Sequence, residues 1–106
     1  LIALFIAGQV AYGADGKPAQ RGDLAAQARA VFQARKPQVE AGGGTLANVV
    51  KINTYLVDIR HRAELVPIRE EFFGKKTLAS TLVAVAALAQ PEYLIEVEAV
   101  AVLPED

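Results

Sequence analysis

Residues Ile95 to Val102 read IEVEAVAV, and this alternation decides the fold. Side chains of a β-strand point to opposite faces with a period of two, so the stretch reads as a strand. One face carries Ile95, Val97, Ala99 and Ala101 and is plain core. The other begins with Glu96 and Glu98 and continues, in the same register, with Val100 and Val102. A solvated face is polar throughout and a core face apolar throughout. This one changes character halfway, as the border of something would.

Working outward, the strand extends to YLIEVEAVAVL and is preceded by a second one, LASTLVAVAAL, across a short connection at Ala89-Gln90-Pro91-Glu92. Upstream, a helix is predicted from Ala63 to Phe73, presenting Leu65, Val66, Ile68, Phe72 and Phe73, with Pro67 in its first turn and Gly74 as its stop. Before it, VVKINTYLVDI is predicted as a strand from Val49 to Ile59. It places Val50, Ile52, Thr54 and Leu56 on one face and Val49, Lys51, Asn53, Tyr55 and Val57 on the other. Thr45 caps the short turn TLANV that feeds this strand.

A longer helix runs from an N-cap at Asp23 to about Ala41, stopped by Gly42-Gly43-Gly44. Its inward stripe is Leu24, Ala28, Val31, Phe32 and Val39. Arg35 also falls on that stripe, and Pro37 sits deep in the helix, where a missing N–H and a clash with the carbonyl of Gln33 cost about 3 kcal/mol. A kink or break is therefore predicted between Gln33 and Pro37. The opening LIALFIAGQVA, residues 1–11, reads as a strand, too short to span a bilayer and without the basic flank of a leader. Gly13, Asp15, Gly16 and Pro18 then supply turn chemistry. The chain holds no Met, so residues upstream of Leu1 are expected. The order strand, helix, strand, helix, strand, strand implies one α+β domain over residues 1–106, a single sheet with two helices packed on one face.

Composition points the same way. Hydrophobic residues make up 53% of the chain before its 8 glycines are counted, against about 45–50% with glycine included in ordinary soluble domains. A chain of 106 residues cannot hide that surplus inside itself, so the bare sheet face is expected to be covered by another subunit. The formal charge is −1, and the nearest approach to a basic patch is Arg60, His61 and Arg62 with Lys75 and Lys76. No nucleic-acid or membrane partner is expected from it. The absence of cysteine removes disulfides, thiol nucleophiles and thiolate metal sites. A lone histidine, His61, flanked by arginines, builds no zinc site and is read as a surface residue. Neither metal nor cofactor is expected, and the expected setting is the cytoplasm.

Several stretches together resemble a known family. They are FIAGQ in the first strand, QARAVFQ in the first helix, EAGGGTLANVVKINTYLVDI across the helix stop and the next strand, REEFF in the second helix, and LIEVEAVAV at the end. These resemble the RidA/YjgF family of small proteins, whose prototypes deaminate reactive enamine and imine intermediates. The resemblance implies a chorismate-mutase-like fold assembled as a homotrimer, with the sheets in a central barrel, the helices outside and three clefts between subunits. The valine end of the last strand would then pack in the trimer and the glutamate end open on the cleft.

The deaminating members hold the substrate carboxylate with an arginine on the penultimate strand, and here the matching position is Ser80. No other arginine or lysine lies between Leu78 and Leu103. The glutamate that positions or activates water maps to Glu96, and the glycine of the glycine–glutamine motif maps to Gly8, within Ala7-Gly8-Gln9. A serine hydroxyl makes a neutral hydrogen bond of about 0.5–1.5 kcal/mol, where bonds to a charged group reach about 1.5–3. The expected cleft is therefore acidic and suited to a neutral or cationic small molecule, with Ser80, Leu82 and Gly8 as binding residues. Glu96 can serve as general base if burial beside Leu82 and Val100 lifts its pKa. Alternatively, Glu96 and Glu98 are solvated charges guarding a sheet edge.

Three functions follow. The first is a trimer binding a small metabolite in its clefts, with hydrolytic or deaminating activity on an imine or enamine not anchored by arginine. The second is an ordinary 2-iminobutanoate or 2-iminopropanoate deaminase. The third is a non-catalytic trimer that senses or sequesters ligands.

Overall fold

The computed structural model describes residues 2–75 and 78–104. Leu1 of the opening strand and Lys76 of the basic cluster lie outside the described residues. The elements are β1 (Ile2–Gln9), α1 (Leu24–Ala41), β2 (Val49–Leu56), α2 (Arg62–Phe73), β3 (Ala79–Ala84) and β4 (Ile95–Leu103), with 3-10 turns at Leu46–Asn48 and Ile59–His61. One sheet holds all four strands in the order β1-β4-β2-β3. β4 is antiparallel to both neighbours, whereas β2 and β3 are parallel and joined through α2, as a parallel pair requires a crossover. No helix among the described residues is long and apolar enough to cross a membrane.

The helices form because their ends are capped and one stripe of each is apolar. The Asp23 side chain accepts from the backbone N–H of Ala26 at 3.0 Å, and the whole stripe Leu24, Ala28, Val31, Phe32 and Val39 is buried. From α2, Leu65, Ile68 and Phe73 join that core, while Val66 is exposed and Phe72 half-buried. Phe32 lies 5.5 Å, ring centre to ring centre, from both Phe72 and Phe73. These aromatic contacts join the two helices. Gln27, fully buried, donates to the carbonyl of Glu92 and accepts from the N–H of Leu94, each at 2.9 Å, and so ties the β3–β4 connection to α1.

Several expectations are corrected. α1 runs through Pro37 without a break. Gln33 and Pro37 both lie on its exposed face, so the carbonyl that loses its partner meets water. Pro67 falls beyond the first turn of α2, which begins at Arg62, and it too is exposed. β2 ends at Leu56, with Asp58 capping the 3-10 turn that follows. The predicted faces of β2 fail at their start: Val49 is buried and Val50 exposed. Val49 pairs with Ala101 but Lys51 with Val100, a bulge in which two steps on β2 meet one on β4 and the parity of β2 flips. From Ile52 onward the alternation holds.

In β4 the expected faces are both present. Ile95, Val97, Ala99, Ala101 and Leu103 are buried against the helices, and Glu96, Glu98, Val100 and Val102 are half-buried on the other side. That other side has no layer over it. Phe5, paired with Val100, is 77% exposed, and Val83 and Val50 are exposed as well.

Candidate functional site

Register divides the predicted site residues into two groups. Tyr55 pairs with Glu96, and Asn53 with Glu98, so both glutamates share the uncovered face of the sheet. Ile52 pairs with Ser80 and Thr54 with Leu82, which puts Ser80 and Leu82 on the helix face. Within one chain Glu96 and Leu82 therefore lie on opposite sides of the sheet. Glu96 is not buried beside Leu82 of its own chain.

Gly8 and Glu96 do come together. β1 carries a bulge at its end, where Ile6 pairs with Ala99 but Gln9 with Val97. This bulge brings the Gly8 backbone so close to Glu96 that an added Cβ would lie 2.6 Å from Oε2 and 2.9 Å from Cδ. A side chain at position 8 would push the Glu96 carboxylate out of this place.

Arg35 fastens the bulge from the helix side. It is fully buried in its own chain, and its Nη1 donates to the Ala7 carbonyl at 2.6 Å while Nη2 donates to Oε1 of Gln9 at 2.8 Å. Its Nε is buried without a hydrogen-bond partner. Desolvation pulls the guanidinium down to about 10, partly offset by the nearby Tyr12 and Glu96. It thus remains a cation at neutral pH, set close behind the carboxylate. The sequence marked Arg35 only as an anomaly on an apolar stripe.

The two carboxylates differ in their engagement. Oε1 of Glu98 accepts from Nδ2 of Asn53 at 2.8 Å and from the hydroxyl of Tyr55 at 2.7 Å. Those bonds, Asn53 first and Tyr55 second, hold its carboxyl below the usual 4.5, and the same bond pushes the Tyr55 phenol above its usual 10.0. Glu98 is a fixed anion. Together with Phe5, Ala7, Lys51, Asn53 and Val100 it lines a hollow of about 400 Å³ on the uncovered face. Glu96 accepts no such side-chain donor among the described residues, so its oxygens face whatever occupies the rim.

Ser80 and Leu82 line a second hollow of about 320 Å³ beneath α2, together with Thr54, Leu65, Arg62 and Arg69. Nη1 of Arg69 lies 3.4 Å from Oγ of Ser80. A hollow free of arginine was expected at Ser80; the helix supplies one that the strand lacks. The available signal was the seven-residue spacing of Arg62 and Arg69, which puts both on one face of α2. His61, at the head of α2, is half-buried rather than a surface residue. Among the described residues no group of His, Asp and Glu is placed to hold a metal ion.

Residues 2–103 match the family described as endoribonuclease L-PSP. A RutC family protein of Pyrococcus horikoshii is 36% identical over 98 residues, covering 92% of this chain and 77% of its own. Among solved structures, the Rid-family protein YyfB of Yersinia pestis is 38% identical with a TM-score of 0.84, covering 95% of this chain and 78% of its own. RidA from an Antarctic Psychrobacter is 30% identical with a TM-score of 0.87, covering 95% and 80%.

Proposed function

Because the chain belongs to the endoribonuclease L-PSP, or RidA/YjgF, family, we propose that it assembles as a homotrimer and hydrolyses a small imine or enamine in clefts between subunits, in the cytoplasm. Glu96 is the general base. It takes a proton from water as the water oxygen adds to the carbon of the protonated imine, giving a carbinolamine, and returns that proton to the nitrogen; the C–N bond then breaks, ammonia leaves, and the hydroxyl proton is lost to solvent as the carbonyl forms. One observation carries this reading: of two neighbouring carboxylates, Glu98 is locked by Asn53 and Tyr55, whereas Glu96 accepts no side-chain donor among the described residues and lies against Gly8. Phe5, Val83 and Val50 on the bare sheet face support the trimer, since exposed apolar area of this kind marks an interaction surface. The family description names RNA cleavage, but this chain has one histidine and scattered basic residues, with no stripe to follow a phosphate backbone.

The test generates an imine with an amino-acid oxidase and follows its loss by semicarbazide trapping. Acceleration over buffer that disappears in Glu96→Gln is the expected result. No acceleration by the wild-type chain refutes the activity and leaves the third function, a ligand-binding trimer, whose binding Glu96→Gln would not alter.

A further inference from the structure

We propose that Arg35 is the positioning residue of Glu96: its guanidinium grips Ala7 and Gln9, on either side of Gly8, and so fixes from the core the seat in which the carboxylate lies. This deepens the proposed function and rests on it only for the reaction that Glu96 serves. The rest of the α1 stripe, Leu24, Ala28, Val31, Phe32 and Val39, is apolar. An aliphatic side chain at position 35 would continue it without a desolvation cost, whereas the guanidinium is fully buried with one donor, Nε, unbonded. Replacing buried charges by apolar groups of similar volume is often neutral or stabilising. Packing alone therefore gives no reason for an arginine here; its contacts do.

From Ile6 to Gln9 there are three steps on β1, while their partners Ala99 and Val97 are two steps apart on β4. The extra residue takes Ala7 and Gly8 out of regular pairing and leaves backbone groups there in want of other partners. Nη1 of Arg35 takes the Ala7 carbonyl at 2.6 Å and Nη2 takes Oε1 of Gln9 at 2.8 Å. Two bonds from one rigid, planar group hold the chain on both sides of Gly8, whose backbone lies close against Oε2 and Cδ of Glu96. A lysine would keep the charge, but as a point donor it cannot span both acceptors. Charge acts in the same direction. Arg35 attracts Glu96 and lies near Tyr12. Tyr55 also lies near Glu96, Glu98 follows on the same face of β4, and Lys51 acts on Glu98. Phenols are uncharged where carboxyls titrate, and Glu98 opposes a second anion beside it. Among the described residues Arg35 is thus the cation that favours the ionised form of Glu96.

Two variants of the full chain separate grip from charge: Arg35→Met removes both, and Arg35→Lys removes only the grip. In a carboxyl NMR titration, Glu96 of Arg35→Met is expected to titrate at least about half a pH unit higher, because loss of a nearby cation disfavours the anion, and that of Arg35→Lys within about 0.2 pH units of wild type. On an oxidase-generated imine, kcat is expected to fall at least about tenfold in Arg35→Met with KM within about twofold, and the acid limb of its pH profile to move with the carboxyl. Arg35→Lys restores the acid limb but only part of the rate. Added to Glu96→Gln, neither substitution slows the enzyme further. A merely structural arginine would change the melting temperature and leave the carboxyl titration alone. A folded Arg35→Met whose Glu96 titrates as in the wild type overturns the electrostatic role, and one whose kcat stays within about threefold of wild type overturns the positioning. Should Arg35→Met fail to fold, Arg35→Gln, neutral but able to hydrogen-bond, takes its place under the same criteria. If the wild-type chain turns over no imine, the deaminase reading fails, while the titration still decides whether Arg35 governs the Glu96 carboxylate.

Discussion

The substitution Gly8→Ala tests whether the placement of Glu96 matters to chemistry. A methyl group at position 8 would lie 2.6 Å from Oε2, where ordinary contact begins at 3.4 Å, so the carboxylate must retreat by about 0.8 Å. Displacements of about 1 Å at a reacting group cost on the order of a hundredfold in rate. Turnover of an oxidase-generated imine is therefore expected to fall about 30- to 100-fold. Stability should hardly move. The obstructing atoms are the far end of a flexible side chain, Gly8 does not have a left-handed φ, and loss of glycine's freedom in the unfolded chain returns about 0.4–1 kcal/mol. At about 4–8 °C per kcal/mol for a domain of this size, the melting temperature is expected within about 5 °C of wild type. The decisive comparison adds the same substitution to Glu96→Gln. If Gly8 acts only by placing Glu96, the double variant is no slower than Glu96→Gln alone. A Gly8→Ala enzyme within about threefold of wild type, or one that slows Glu96→Gln as much as it slows the native enzyme, refutes the reasoning.

Gly44→Ala is expected to destabilise by about 1–3 kcal/mol, read as a lower melting temperature, because the added methyl collides with Cδ2 of Leu103 and crowds Oδ1 of Asn48, the acceptor that caps the 3-10 turn. Tyr55→Phe is expected to raise the Glu98 pKa toward 4.5 in a carboxyl NMR titration. Its sign follows from linkage: a carboxyl depressed in the folded state contributes stability fully above 4.5 and loses it as pH falls through the depressed value, so the variant should show a weaker acid-side loss. An unmoved Glu98 titration would mean that the Tyr55 bond does not form. Phe5→Lys places a charge on the uncovered face beside Val100 and is expected to dissociate the proposed trimer to lone subunits in sedimentation; unchanged assembly would move the interface elsewhere.

What was legible in the sequence is what depends on one element alone. The α1 stripe, the Asp23 and Thr45 caps and both faces of β4 follow from local period and capping chemistry, and the fold realises each of them. What was not legible depends on a partner strand. The bulges opposite Val100–Ala101 in β2 and at Ala7–Gly8 in β1 shift the parity of one strand against its neighbour, and no alternation within one segment records such a shift. The separation of Ser80 from Glu96 is of the same kind. Each residue's face follows from pairing across β2, to Ile52 in one case and Tyr55 in the other. The prolines misled for another reason. Pro37 stands on the exposed face of α1, where water can take the carbonyl freed at Gln33 and the buried stripe on the opposite face carries the helix through, whereas Pro67 lies deeper in α2 than the first turn expected for it.

The change of character along the outer face of β4 now has a physical account. Val100 and Val102 lie next to Phe5 and Ala3 of β1, with Lys51 of β2 opposite Val100, so this end of the face is mostly apolar. Glu98 is the next residue along that face, and it is tolerated half-buried because Asn53 and Tyr55 supply two donors from β2. Glu96 comes last, at the end of the strand, where β2 offers no further donor. Among the described residues the nearby charge of opposite sign is Arg35, held in the core by the carbonyl of the β1 bulge. A carboxylate with a cation fixed behind it, and with no side-chain donor to its oxygens among the described residues, is left unsatisfied. Those are the properties a general base needs in order to order and deprotonate a water molecule.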